Sequence, residues 1–213
     1  MLVIAVLSTV VTQGSGTEEA DKSGNIFDGC DSTMVKAGEV TTLPKDTVYE
    51  PDYDLSFELI SQFEGFRSKS YHCTKGVRTI GYGTTEYLVD ALTKDGYNVG
   101  FTLDDTITEK QGRRLLVKYV EIIESKLVKI YGEGYKRLHP YVRSAIHSRA
   151  YQIGWYGFVK NVVSRNTELE RGLVDGDNDK VVECLSDWSR CKYKDRREKE
   201  YKFALKFRET NTK

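Results

Sequence analysis

The sequence predicts an α+β protein, a small antiparallel sheet followed by a mainly helical lobe. Residues 66–84 alternate in character and are rich in Tyr, Thr, Val and Ile, the pattern of short, half-buried strands. From Thr106 onward the apolar residues instead recur at helical spacing. No internal repeat is visible. With 213 residues, 39% hydrophobic and 11% aromatic, the chain can bury one ordinary core and carry an extension.

The extension is at the N-terminus. Residues 12–54 are acidic, rich in Gly, Ser and Thr, and aperiodic, so 1–54 is expected to be a lead-in, with the folded domain spanning 55–213. The run Leu2–Val11 is about half as long as a membrane span and follows no Lys or Arg. Three readings stay open for it: a weak export signal, a weak membrane anchor, or a buried strand. The zero net charge hides an asymmetry. Residues 1–54 hold ten acids against three bases, a net −7; the remainder holds 29 bases and 22 acids, a net +7. A basic body suits a polyanionic partner, cell-wall polymer or nucleic acid, or is simply a solvated basic face.

Leu55, Leu59, Ile60 and Phe63 predict a helix over 55–64 that stops at Gly65. The sheet follows, with a turn near Thr74-Lys75-Gly76. Thr108 is placed to cap a helix starting ITEKQGRRLL, whose apolar stripe runs through Leu115, Leu116, Tyr119, Val120, Ile122, Ile123 and Leu127. A break is expected at Gly132-Glu133-Gly134. Pro140 suits the first turn of a helix that ends at Gly154. Shorter helices are expected over 156–165, 178–190 and 195–208.

Chemistry concentrates between Glu64 and Thr85, EGFRSKSYHCTKGVRTIGYGTT. Glu64 is the candidate proton donor: at a helix end beside Phe63 and Phe66, desolvation would favour its neutral form. Cys73 follows after eight residues and Thr79 after five more. A thiol is mostly protonated near neutrality, with an ordinary pKa of about 8.5. It would become a thiolate if His72, Lys75 or Arg78 came close. Thr79 can donate to and accept from a water. Taken singly, each has a plain structural reading: an exposed terminal Glu, a small buried Cys, a β-branched strand residue. The three histidines are scattered and no Cys-x-x-Cys occurs, so no metal or other cofactor is expected.

The spacing Glu-x8-Cys-x5-Thr resembles the motif of the phage-type lysozymes, Glu, eight residues, Asp or Cys, five residues, Thr. FEGFRSKSY and TIGYGTT match its surroundings, with Thr84 where the family's GYGHT carries histidine. VRSAIHSRAYQIG resembles the family's central helix, GFVKNVV follows it, and DRREKEYKFAL resembles the closing Arg-Arg-x-x-Glu helix. The resemblance spans 55–208 and implies a lysozyme-like α+β fold with an active-site cleft between the lobes. It implies an endolysin that hydrolyses the β-1,4 bond between N-acetylmuramic acid and N-acetylglucosamine in peptidoglycan, with inversion. The implied catalytic residues are Glu64, Cys73 and Thr79. Those toward substrate are Tyr82, Thr85, Tyr151, Gln152, Asn161 and Arg196, and Arg196 or Arg197 is expected near Glu64. Tyr82, Trp155 and Trp188 are weighed as sugar-stacking rings, Trp188 rather as core.

The resemblance further implies a monomer with peptidoglycan as partner and no nucleic acid. It implies synthesis in the host cytoplasm and action on the cell wall, with membrane association through the N-terminal segment left open. Two other activities stay open: a lytic transglycosylase, which needs the acid but no water-activating base, and a non-catalytic wall-binding module on the same fold. Family members with the Cys variant also imply a redox reading, in which Cys30 or another thiol cages Cys73. The polar setting of Cys30, GNIFDGCD, speaks against it. Cys184 and Cys191 would meet only across a turn.

Overall fold

The computed structural model describes residues 47–186 and 193–210. Leu2–Val11, Cys30, Trp188 and Cys191 therefore lie outside the described residues.

Helix α1 (Tyr53–Glu64) starts two residues earlier than its apolar spacing suggests, because Asp52 caps it: Oδ1 accepts from the N–H groups of Asp54 and Leu55 at 3.0 and 2.9 Å. The residues just before it, assigned by composition to the lead-in, are tied to the helical lobe. The Tyr49 N–H donates to Lys136 O at 3.0 Å, and Tyr49 O accepts from Arg143 at 3.1 Å. Strands β1 (Arg67–His72), β2 (Arg78–Gly81) and β3 (Thr84–Thr85) form one antiparallel sheet in the order β1-β2-β3. The β1–β2 register pairs Tyr71 with Thr79 and is interrupted between Arg67 and Tyr71. The turn between them sits where it was expected, over Thr74–Gly76, with Gly76 at φ 75°.

Helix α2 (Glu86–Lys94) was not legible in the sequence. Its Val89 and Leu92 join Val99 and Leu115 in a small second core beneath the sheet lobe. Helix α3 (Glu109–Arg137) opens on the Thr108 cap, with Gln111 closing the reciprocal half of a capping box. The expected break at Gly132 is a kink and not an end: Gly132 takes φ 65°, and helical structure resumes to Arg137. Gly112 lets α3 approach the sheet, where a Cβ on Gly81 of β2 would lie 3.4 Å from Gly112 Cα, and a Cβ on Gly112 itself would lie 2.8 Å from the Phe66 ring. Gly134 lets it meet helix α6 (Thr167–Asp175), backbone to backbone.

Helix α4 (Pro140–Ile153) has Pro140 in its first turn and ends at Gly154. Around it stand α5 (Trp155–Asn161), a 3₁₀ turn (Val163–Arg165), α6, α7 (Asn178–Leu185), α8 (Lys194–Leu205) and α9 (Phe207–Thr210). Helix α4 runs through the main core and is buried on nearly all sides. It therefore carries buried polar groups that must be paired. Glu124 of α3 takes His147 at 2.7 Å and Arg143 at 3.2 Å, and Ser56 of α1 meets His147 Nδ1 at 2.9 Å. Burial works to raise the Glu124 carboxyl, but His147 and Arg143 outweigh it and leave it below its ordinary value. One polar knot thus joins α1, α3 and α4.

Candidate active site

The C-terminal end of α1 delivers Glu64. The helix stops there because Gly65 turns at φ 62°, a left-handed conformation that favours glycine. The Glu64 side chain is only 21% exposed, and its two oxygens have different surroundings. Oε1 accepts from Arg196 Nη1 at 2.7 Å. Oε2 faces Gly83 so closely that a Cβ on that glycine would lie 3.1 Å away.

Arg196 is held from several directions. Its Nε reaches Glu200 at 3.2 Å, Nη2 donates to Ser148 O at 3.0 Å, and the guanidinium lies over Phe63, 4.6 Å from the ring centre. Glu200 also accepts from Ser148 Oγ at 2.7 Å and pairs with Arg197 at 2.8 Å. Burial pushes the Glu200 carboxyl above its ordinary value, while Arg197, Ser148 and Arg196 pull it down. Arg197 turns to Gln152, donating to its Oε1 at 2.6 Å. Of the two arginines, Arg196 is the one at Glu64.

Two cavities share Gln152 as a wall. One, of about 420 Å³, is lined by Gly83, Thr84, Thr85, Tyr87, Tyr119, Tyr151 and neighbours, with no charged side chain. The other, of about 550 Å³, is lined by Phe63, Tyr193, Lys194, Asp195, Arg196 and Lys199. Gly83, against Glu64 Oε2, belongs to the first; Arg196, on Oε1, belongs to the second. The carboxylate is bracketed by their walls.

The sheet supplies the thiol. Cys73 lies at the β1–β2 turn, where its N–H donates to Val77 O at 2.9 Å. The backbone N–H of Lys75 first, then that of Val77, with Thr79 and the Lys75 charge adding, hold the thiol below its ordinary pKa. Arg78 has no part in this: it turns to Ser70, Leu103 O and Asp104. Thr79 is buried, and its hydroxyl donates to Val77 O at 3.0 Å. Tyr71, opposite Thr79, is raised by burial and, in smaller part, by both Glu64 and Cys73, so it lies within electrostatic reach of the two.

The phage lysozyme family model matches residues 61–200, about two thirds of the chain. The chain belongs to the phage lysozyme family. The P1 phage endolysin Lyz, in its active form, is 24% identical over 72% of this lysozyme and 84% of that chain, with a TM-score of 0.54. A mutant of P22 lysozyme is 18% identical over 74% and 99%, also at 0.54. The muramidase domain of SpmX from Asticaccaulis excentricus is 19% identical over 70% and 94%, at 0.50. These structures share the fold. No curated protein sequence matches at a significant level.

Within this lysozyme, Thr85 and Tyr151 line the smaller cavity, Gln152 lines both, and Arg196 lines the larger one. Asn161 is exposed at the end of α5 and lines neither cavity. Tyr82 requires a correction. It is 4% exposed, packed against Phe57 and Phe66, and its hydroxyl donates to Glu109 at 2.7 Å. Such a ring cannot stack on a sugar; burial and Glu109 push the phenol up to about 12. What Tyr82 offers the site is its carbonyl, which accepts from the Tyr151 hydroxyl at 2.8 Å. Trp155 is half-buried against the core, with Lys126 5.8 Å from its ring centre. Sequence reasoning missed Ser148, Tyr71 and Tyr87. Tyr87 is 67% exposed on a cavity wall, but α2 itself went unseen. Among the described residues no cluster of His, Cys, Asp and Glu could hold a metal, and no helix is long and apolar enough to cross a membrane.

Proposed function

We propose that this lysozyme is an endolysin that hydrolyses the β-1,4 bond between N-acetylmuramic acid and N-acetylglucosamine with inversion. The supporting observation is the division of labour on Glu64. Arg196 occupies Oε1, which leaves Oε2, beside Gly83, as the oxygen that carries the proton to the leaving glycosidic oxygen. Water attacks the anomeric carbon from the opposite face, as inversion requires. The Cys73 thiolate, favoured by the N–H groups of Lys75 and Val77, takes the water's proton, and Thr79 orients it. One proton leaves Glu64, one arrives at Cys73, and both groups reset through solvent.

The protein acts as a monomer, made in the host cytoplasm and working on the wall; light scattering and fractionation of lysing cells test those points. The mechanism is tested on purified sacculi. The parent is expected to release products with reducing N-acetylmuramic acid ends. Glu64→Gln is expected to lower kcat by about 10²–10⁴ while remaining folded. Products with 1,6-anhydro ends would replace hydrolysis by transglycosylation, and full activity of Glu64→Gln would remove the acid.

A further inference from the structure

One phenol lies beside both residues that flank Gly83. Tyr151, on α4, is buried, and its hydroxyl donates to Tyr82 O at 2.8 Å. Tyr82 and Gly83 make the turn between β2 and β3, so this bond runs from the helical lobe to the sheet. On the other side of Gly83 stands Thr84, 1% exposed. Its hydroxyl is the one buried hydroxyl among the described residues that reaches no partner at hydrogen-bond geometry. It lies next to the Tyr151 phenol, near enough to lower it against burial and the Glu64 charge, which raise it. Burying an unpaired hydroxyl is costly, and a valine would fill the same space without that cost. Sealed from solvent, Thr84 Oγ1 is also out of reach of a sugar, so whatever it does passes through a neighbouring group.

We infer that Tyr151 and Thr84 are positioning residues for the proton donor: the phenol clamps the chain on both sides of Gly83 and holds that glycine against Glu64 Oε2. The inference rests on Glu64 as the acid proposed above. Gly83 has no side chain to anchor it and takes φ 82°, so its place is set by its neighbours. Tyr82 O is already held. Thr84 completes the clamp by turning its O–H to the phenol oxygen, which donates to Tyr82 O and can still accept. Hydrogen bonds of this kind are often loose in a free enzyme and tighten on substrate. Thr84 and Tyr151 both line the smaller cavity, so a sugar entering it presses on the pair. Arg196 fixes Glu64 Oε1 at 2.7 Å, and the clamped glycine is the opposing wall at Oε2. A bond that merely joined the lobes would need Tyr82 O and have no use for the Thr84 hydroxyl.

The full chain is compared as parent, Tyr151→Phe, Thr84→Val and Thr84→Ser. Amide hydrogen exchange at Gly83 and Thr84, read by NMR, requires no turnover. It is expected to quicken in Tyr151→Phe and Thr84→Val while core amides of α3 and α4 keep the parent's rates. On sacculi, Tyr151→Phe is expected to lower kcat by about tenfold, for a donor displaced by a fraction of an ångström. KM should hold, because the ring still lines the cavity. Thr84→Ser, which keeps the hydroxyl, should regain most of what Thr84→Val loses. Combined with Gly83→Ala, Tyr151→Phe should add little further loss, since both act by displacing the same carboxyl. Parent-like exchange at Gly83, a raised KM with kcat kept, full rate in Thr84→Val, or fully additive losses would each overturn the inference. If the parent released no reducing ends, the acid reading would fail, and exchange at Gly83 would still decide whether the clamp exists.

Discussion

Gly83→Ala is expected to damage turnover out of proportion to stability. Gly83 sits at φ 82°, where a side chain costs about 1–2 kcal/mol in backbone strain. For a chain of this size that lowers Tm by about 2–8 °C. The new methyl would also stand 3.1 Å from Glu64 Oε2 and 3.8 Å from the carboxyl carbon. The carboxylate must yield by a few tenths of an ångström, and Arg196 holds its other oxygen at 2.7 Å. Displacing a proton donor that the site has positioned costs up to about 10²-fold in rate for an ångström of error. A fall in kcat of about tenfold or more is therefore expected. The control is Gly96→Ala: Gly96 has φ 79° and nothing within 4 Å of where the new methyl would stand, so it shares the strain without the obstruction. Thermal melts and initial rates on sacculi are measured for both. The reasoning is refuted if Gly83→Ala keeps its kcat, or if Gly96→Ala loses as much.

Two further outcomes can be measured directly. Alkylation with iodoacetamide across pH, read by peptide mass mapping, should show Cys73 reacting at lower pH than an ordinary thiol. Cys184, raised by burial, should react at higher pH; the reverse order would remove the thiolate from the proposed mechanism. Tyr87→Ala should raise KM about 2- to 12-fold through lost aromatic contact in the uncharged cavity, with Tyr87→Phe near the parent. An unchanged KM would make Tyr87 a bystander.

Where the sequence was legible, a local signal coincided with a packing need. Thr108 and Gln111 announce the start of α3, and Pro140 and Gly154 bracket α4. The Glu64, Cys73 and Thr79 spacing marks the site region because one helix end and one hairpin hold all three. Helix α2 was illegible because EYLVDALTK begins directly at β3, with no side-chain cap to mark it. Helix α6 was missed although Asn166 caps it and Gly176 ends it in the left-handed region; the signal was there and went unread. Tyr82 was misplaced because a motif match fixes a residue's position along the chain and not which way its ring turns, and here Phe57 and Phe66 take it inward. The Glu124 knot has no one-dimensional signature, since its members come from three helices. Neither does the bond from Ser148 to Arg196, whose partners are 48 residues apart.

Helix α3 has a mechanical consequence. From Glu109 to its kink at Gly132 it is a rod of about 35 Å, seated against the sheet at Gly112 and tied to the helical lobe through Glu124. A tilt of about five degrees at one end moves the other by about 3 Å, roughly the length of a hydrogen bond. A side chain at Gly112 would meet the Phe66 ring at 2.8 Å, two residues along the chain from Glu64, so a substitution there is expected to shift the proton donor from a position that lines neither cavity.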